Sequence, residues 1–246
     1  MRSTRPLKLA IGLDVGGTKT RAILWDGKKI LKILDSATPQ DPKEFVANLR
    51  RLVTSLQGDQ KIRGIGIGIA GAVKKDVIVS CRNIPAIREL SVLKIFPGVA
   101  RIKLDNDARC FARCEVVLGS GKSRAGSKRG VLALTIGTGI GRAYSANGKV
   151  KPLESFEHSE LWEGAYQRQR DAKKPALLAK LLGVKLAPII HRLQPHAIVV
   201  GGSVMYQPQL FGLLQKELRR EGILTLLKKP QFRENAGAIG AALLVS

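Results

Sequence analysis

Leu13-Asp-Val-Gly-Gly-Thr-Lys-Thr-Arg-Ala22 lies over Leu134-Thr-Ile-Gly-Thr-Gly-Ile-Gly-Arg-Ala143, with Leu, Gly, Arg and Ala identical at four of the ten places. In each copy an apolar run enters a glycine turn and leaves as a second run, the pattern of two strands joined by a tight connection. A weak repeat that recurs once over so long an interval marks a duplicated fold unit, not a short solenoid module. The first copy is flanked by strands expected at 7–14, 21–25 and 28–34, with Asp26-Gly27 as a hairpin turn. Phe45, Val46, Leu49, Leu52, Val53 and Leu56 then recur at helical spacing after Asp41-Pro42, a helix start signal. Buried strands are expected at 62–70 and 101–104 and a helix at 106–118. The second copy begins with strands at 130–136 and 141–145, turns at Asn147-Gly148, and continues with a helix at 175–192, a strand at 197–200 and helices at 208–220 and 236–245. This predicts an α/β protein of two domains, residues 1–120 and 121–246, with a linker near Gly119 to Gly130 and the last helix packing back toward the first domain.

The chain has 246 residues, 44% hydrophobic, 25% charged and with 26 glycines. That is the balance of an ordinary globular protein, so disorder, collagen and coiled coil are poor readings. No apolar run approaches the roughly 20 residues of a membrane span, and no signal peptide is read at the basic start. Cys81, Cys110 and Cys114 make no disulfide framework and no zinc site, and a reducing cytoplasm fits them. The 42 Lys and Arg against 19 Asp and Glu leave +23, a field that attracts polyanions. The excess is spread, with 22 bases and 11 acids up to residue 120 and 20 and 8 after it. Its densest piece is Gly121-Lys-Ser-Arg-Ala-Gly-Ser-Lys-Arg-Gly130.

The glycine turns lack bulky side chains, so backbone N–H groups can approach phosphate oxygens, and Thr18 and Thr138 add hydroxyls. Neither is a Walker loop: after Gly12 the lysine, Lys19, comes one place late, and Gly119-Ser-Gly-Lys-Ser123 has Val116 where the first glycine belongs. Asp14, at a strand end beside the first turn, is placed to hold a phosphate-bound Mg²⁺. Asp105-Asn106-Asp107 opens a helix after a strand, a place that also calls for an N-cap, and local helical patterning does not separate a capping acid from a catalytic one. A carboxylate there is what phosphoryl transfer needs to accept the proton of an attacking hydroxyl.

Asp14-Val-Gly-Gly-Thr-Lys19, Asn106-Asp107-Ala108, the second glycine turn, Val200-Gly-Gly202 and Asn235-Ala-Gly-Ala-Ile-Gly-Ala-Ala242 arrive in the order of the ROK-family sugar kinases, which the chain resembles. Within that family it is most similar to polyphosphate glucokinases, through its short length, the second turn and Ser155-Phe-Glu-His-Ser-Glu160. The resemblance implies an actin-like ATPase fold, the ribonuclease H-like unit duplicated, with two domains around a cleft. It implies that Asp107 is the base, that Asn83, Asn106, His158 and Glu160 bind the sugar, and that Gly16, Gly17, Thr18, Lys19, Gly137, Thr138, Gly139, Gly201 and Gly202 hold the donor. Its partners would be a hexose with ATP or inorganic polyphosphate, its cofactor Mg²⁺ on Asp14, and its state a homodimer, with no membrane or specific nucleic acid. Two departures bear on the sugar: Ser155 and Glu157 stand where the family has Glu and Gly before the histidine. They leave open a kinase for another hexose, such as an N-acetylhexosamine, and a non-catalytic sugar- or polyanion-binding protein. The family's cysteine-rich zinc motif is absent, so no structural zinc is expected. With 13 residues before Asp14, a repressor's winged helix is not expected either.

Overall fold

The computed structural model describes residues 9–122, 129–151, 153, 161–207 and 209–246. The first part of the chain runs β1 (Ala10–Val15), β2 (Lys19–Trp25), β3 (Ile30–Ala37), α1 (Pro42–Gln57), β4 (Gly64–Ile69), β5 (Ala72–Lys74), β6 (Val77–Ser80), β7 (Arg88–Ser91), α2 (Val92–Ile95), β8 (Ile102–Asn106) and α3 (Asp107–Val117). It continues with β9 (Val131–Ile136), β10 (Ile140–Ala146), β11 (Lys149–Lys151), α4 (Glu163–Asp171), α5 (Pro175–Leu193), β12 (Ala197–Gly201), α6 (Leu210–Arg220), β13 (Leu226–Lys228) and α7 (Ala236–Ala242). The chain forms two compact units. One comprises residues up to Phe111 with Gly237–Ser246, the other Ala112–Ala236, so the division falls inside α3 and α7 belongs to the first unit.

Both units carry a five-stranded sheet of the same topology: β3-β2-β1-β4-β8 in the first, β11-β10-β9-β12-β13 in the second. In each, the three strands that come first form an antiparallel meander that includes the central strand, while the later strands pair in parallel on its other side. The repeat seen in the sequence is thus a repeat of the fold. Its ungapped alignment does not hold across the turn, however, because Asp14 faces Arg21 in the first hairpin whereas Leu134 faces Arg142 in the second. The second connection is one residue shorter. Opposed residues of an antiparallel pair share a sheet face, so Arg21 lies on the face of Asp14 and Arg142 on the face of Leu134. The two identical arginines have different surroundings.

In the first unit, β4 reads Gly-Ile-Gly-Ile-Gly-Ile, and its period of two separates two functions. Ile65, Ile67 and Ile69 join Ile11, Leu13 and Val15 of β1 in a core with Phe45, Leu49, Leu52 and Leu56 of α1. Asp41 caps α1 by accepting from the N–H groups of Lys43 and Glu44 at 2.8 and 3.0 Å, with Pro42 following it. The glycines form the other face, where Gly12 and Gly66 are register partners. A Cβ at Gly12 would sit 2.0 Å from the Ala238 carbonyl oxygen, and one at Gly66 would sit 1.8 Å from that of Ala241. From the helix side, a Cβ at Gly240 would sit 1.7 Å from the Cys110 carbonyl oxygen. Backbone meets backbone there, so α7 is seated directly on the sheet.

In the second unit, Leu132, Leu134 and Ile136 pack with Leu178, Leu182 and Leu186 of α5 and Leu210, Leu214 and Leu218 of α6. The buried Glu115 carboxylate ties two loops by accepting from the Ser120 N–H and hydroxyl and from the N–H groups of Gln231 and Phe232, each at 3.0 Å. Buried charge is tolerated because it is fully hydrogen-bonded. The sequence reading missed β5–β7, α2, β11, α4 and β13. Most of these are three or four residues long, too short to show a period, and α4 (Glu-Gly-Ala-Tyr-Gln-Arg-Gln-Arg-Asp) buries only Glu163 and Tyr166.

Gly66→Ala is expected to destabilise the protein by about 3 kcal/mol, the upper part of the usual range for overpacking, since no rotamer relieves a backbone clash. Gly212→Ala, a helical position with nothing within 4 Å, is expected to stabilise it by about 0.5–1 kcal/mol. Denaturant midpoints of the two variants moving in the same direction would contradict this account of the seat.

Candidate active site

Asp14 is the penultimate residue of β1, on the glycine face, where its parallel-register neighbour is Gly68. A Cβ at Gly68 would lie 2.9 Å from Cys110 Sγ and 3.7 Å from the Asp107 Cα, so this glycine lets the first turn of α3 settle against the strand. A second glycine completes the arrangement: a Cβ at Gly237, in α7, would be 2.2 Å from Asp14 Oδ2. Gly68, Gly237 and the seat of α7 thereby bring Asp14 and Asp107 into one neighbourhood.

The cap of α3 is Asn106. Its Oδ1 accepts from the N–H groups of Ala108 at 2.9 Å and Arg109 at 3.4 Å, and its Nδ2 donates to the Gly71 carbonyl at 3.2 Å. Asp105 is taken by Arg109 and by the Asn106 N–H. Capping thus falls to Asn106 and the ion pair to Asp105, which sets Asp107 apart from both roles. Burial raises its pKa above the ordinary carboxylate value, opposed by hydrogen bonds from the backbone N–H of Ala108, from its own N–H and from Asn106. Asp14 is pushed up to about 7, first by burial and then by the charge of Asp107, with Arg21 pulling the other way. The thiol of Cys81, which the sequence reading took only as a cysteine outside any disulfide, is raised to about 11 by burial and by the same Asp107 charge.

The first glycine turn closes through the Gly16 N–H donating to the Lys19 carbonyl at 3.0 Å. Gln40 Nε2 holds the Gly17 carbonyl at 3.0 Å. A Cβ on Gly17 would lie 2.3 Å from the Asn83 Cβ, so this turn and Asn83 are packed together, and only glycine permits it. Thr18 is exposed. Lys19 is placed elsewhere: its Nζ pairs with Asp35 at 2.7 Å, beside the two-pronged contact from Arg21 to the same carboxylate.

The second turn stands in the other unit. Gly137 N–H donates to the Gly139 carbonyl at 2.9 Å, Thr138 is exposed, and a Cβ at Gly139 would meet open space. Gly202, at φ 97°, has Ile136 backbone atoms within 2.4–2.6 Å of where a Cβ would stand, and Ser203 Oγ lies 3.4 Å from the corresponding point on Gly137. Gly201 and Gly202 are therefore next to this turn. From α4, Tyr166 Oη donates to the Gly137 carbonyl at 2.5 Å and Arg170 Nη1 to the Thr138 carbonyl at 2.6 Å. α4 is itself anchored by the buried pair of Arg142 Nη2 and Glu163 Oε1 at 3.0 Å, with Arg142 over the Trp162 ring. Removing one member of such a pair typically costs about 3–5 kcal/mol.

Ser155, Glu157, His158 and Glu160 lie outside the described residues. Gly68, Gly237, Tyr166, Arg170 and Ser203 were not singled out from the sequence. The one available signal was the small-residue spacing of Gly237 and Gly240, three apart on a helix face. Among the described residues there is no group of three or more His, Cys, Asp or Glu that could hold a metal ion, and no helix long and apolar enough to cross a membrane. Asp14 with its neighbour Asp107 nonetheless fits Mg²⁺, which takes one or two carboxylates together with substrate phosphates and water, not a protein cage.

The model of the ROK family matches residues 10–152 and 151–246. The chain belongs to the ROK family. It is 34% identical to the N-acetylgalactosamine kinase AgaK of Shewanella sp. (strain ANA-3) over 144 residues, 56% of this chain and 46% of that one, so this match spans about half the relative's length. It is 26% identical to the N-acetyl-D-glucosamine kinase of Histophilus somni (strain 129Pt) over 95% of this chain and 97% of that one. Among solved structures, a ROK glucokinase of Streptomyces griseus in complex with glucose and AMPPNP matches with a TM-score of 0.82 at 23% identity, covering 96% of this chain and 99% of that one. The inorganic polyphosphate/ATP-glucomannokinase of Arthrobacter sp. strain KM matches with a TM-score of 0.79 at 25% identity, covering 96% and 98%. The ROK chain thus has the actin-like ATPase fold of sugar kinases, and each five-stranded sheet is one of its duplicated units.

The raised Asp14 carboxyl gives a stability test. The folded protein keeps this proton between about pH 4 and 7 while the unfolded chain, at 3.8, has released it, so folding becomes less favourable as pH rises through that window. In Mg²⁺-free buffer, Asp14→Asn should therefore stabilise the protein by roughly 1–3 kcal/mol at pH 8, with the gain fading toward pH 4. Melting curves at both pH values that show a constant difference would contradict it.

Proposed function

We propose that this ROK-family sugar kinase transfers a phosphoryl group from polyphosphate or ATP to a hexose, with glucose converted to glucose 6-phosphate as the leading reaction. The observation that carries the reading is the placement of Asp107: Asn106 does the capping, Arg109 occupies Asp105, and the Asp107 carboxyl stands close enough to Asp14 for their charges to interact. A base is required because a sugar hydroxyl is a poor nucleophile until its proton has somewhere to go. Burial holds the Asp107 carboxyl above the usual range, nearer the working pH, where proton acceptance is more efficient. Asn83, packed on Gly17, and Asn106 would hold sugar hydroxyls, joined by His158, Glu160, Ser155 and Glu157. The N–H groups of Gly16, Gly17, Thr18, Gly137, Thr138 and Gly139 would hold donor phosphates, with Gly201 and Gly202 beside them. Asp14 would hold Mg²⁺, which when bound offsets the charge developing on the transferred group. Lys19, its Nζ paired with Asp35, is left out of this donor set.

The relatives named for N-acetylated hexosamines favour a second reading, in which the acceptor is an N-acetylhexosamine, and the Ser155 and Glu157 departures bear on the same choice. Polyphosphate as donor is supported by the likeness to the Arthrobacter enzyme and by the +23 charge.

A coupled assay over glucose, mannose, N-acetylglucosamine and N-acetylgalactosamine, each with ATP and with polyphosphate, decides both questions. Glucose is expected to give the highest kcat/KM, and turnover of none of these sugars would end the kinase reading. Asp107→Asn should lower kcat by about 10²–10⁴ while leaving sugar affinity within a few fold. A near-normal kcat would remove Asp107 from its role. If polyphosphate is the donor, its KM should rise with salt more steeply than that of ATP, because a long polyanion displaces more counterions. Equal slopes would speak for ATP.

A further inference from the structure

We infer that Arg170 and Tyr166 are positioning residues that aim the N–H groups of Thr138 and Gly139 at the phosphate donor. The identity of that donor rests on the kinase reading above, while the aiming itself follows from the turn. Tyr166 Oη donates to the Gly137 carbonyl at 2.5 Å, and Arg170 Nη1 donates to the Thr138 carbonyl at 2.6 Å and to that of Gly137 at 3.3 Å. No peptide bond here is cis. In a planar trans peptide the C=O and the following N–H point in opposite directions. The Gly137 carbonyl and the Thr138 N–H belong to one such plane, and the Thr138 carbonyl and the Gly139 N–H to the next. Holding both carbonyls on α4 therefore turns both N–H groups away from α4. These are the groups through which a glycine turn grips phosphate.

The donors are themselves held in place. Asp171 receives Arg170 through Nε and Nη2, both at 2.8 Å, which leaves Nη1 directed at the turn. Arg170 lies over the Tyr166 ring at 5.8 Å, and the Tyr166 side chain is fully buried. α4 is fixed to β10 by the buried Arg142–Glu163 pair. The glycines give the turn freedom of conformation, and without the two clamps its peptide planes could rotate at little cost. A guanidinium is suited to this task because its fork lets one edge be fixed by a carboxylate while the remaining nitrogen serves two carbonyls.

The test uses the full chain and the variants Arg170→Ala, Arg170→Lys and Tyr166→Phe. Calorimetric titration with tripolyphosphate measures phosphate affinity directly, and the kinase assay measures KM for donor and sugar separately. Arg170→Ala should weaken tripolyphosphate binding and raise the donor KM by about 10- to 100-fold, as expected when a site's donors are misplaced by a fraction of an ångström or more. Sugar KM should stay within about two-fold and the melting temperature within a few degrees, since Arg170 sits at the end of a helix anchored elsewhere. Arg170→Lys, which keeps one donor, should recover part of the loss, added guanidinium should restore Arg170→Ala in part, and Tyr166→Phe should cost about 3- to 10-fold in donor affinity. Tripolyphosphate affinity unchanged in Arg170→Ala, or wild-type protein that binds none, would overturn the inference. So would a parallel loss of sugar affinity, donor affinity and melting temperature, the mark of a structural brace. Tripolyphosphate binding without phosphorylation of any sugar would instead overturn the kinase reading, leaving the change in tripolyphosphate affinity to decide this one.

Discussion

The contact on which the first unit depends is the approach of α7 to β1 and β4, where peptide groups meet with no side chain between them. Gly12 and Gly66 allow the strands to come this near, and Gly240 does the same for α7 against α3. Because α3 and α7 both lie on the glycine face, Asp107 at the start of α3 and Asp14 near the end of β1 share a poorly hydrated corner. The packing that takes these half-buried carboxylates partly out of water is thus the packing that holds the unit together, and their altered acidity follows from the glycine pattern.

The two units solve the same topological problem with different chemistry. Each places a glycine turn between its central strand and the first antiparallel neighbour, and each puts an arginine shortly after that turn. One residue of difference in turn length sends Arg21 to the side of Asp14 and Asp35, and Arg142 to the side of Glu163 and Trp162. The first arginine moderates the charge of a carboxylate pair. The second, buried, anchors the helix that carries Tyr166 and Arg170. A shared residue identity within a duplication therefore does not imply a shared role, since a period of two converts any odd change in length into a change of face.

The duplication, the strand–turn–strand units and the acidic start of α3 were legible in the sequence because each is written locally, in glycines, apolar runs and a helix cap. The choice among Asp105, Asn106 and Asp107 was not, since all three are good capping types and only the placement of Arg109 and Gly71 separates them. Gly-Ile alternation in β4 was read as a buried strand, but not as a strand with two unlike faces, because glycine records an approach from a partner distant in sequence. Arg170 and Tyr166 escaped for a related reason. They lie in a polar helix with few buried residues, and their meaning comes from carbonyls some 30 positions away. The small sheet β5-β6-β7 consists of strands too short for any periodicity to emerge.

The return of α7 to the first unit also sets an order for biosynthesis. As the chain leaves the ribosome, β1, β4 and their neighbours emerge first, yet the part of their glycine face at Gly12 and Gly66 has no cover until Ala112–Ala236 have been made and α7 follows. At common translation rates that interval is on the order of 6–25 s. Through it the sheet offers a strip of bare backbone and small side chains on one side, a surface on which a nascent chain can pair wrongly or be held by a chaperone. The second unit needs no such wait, since it is built from one continuous stretch, Ala112–Ala236. Its completion before the first would invert the usual rule that domains nearer the N-terminus fold earlier.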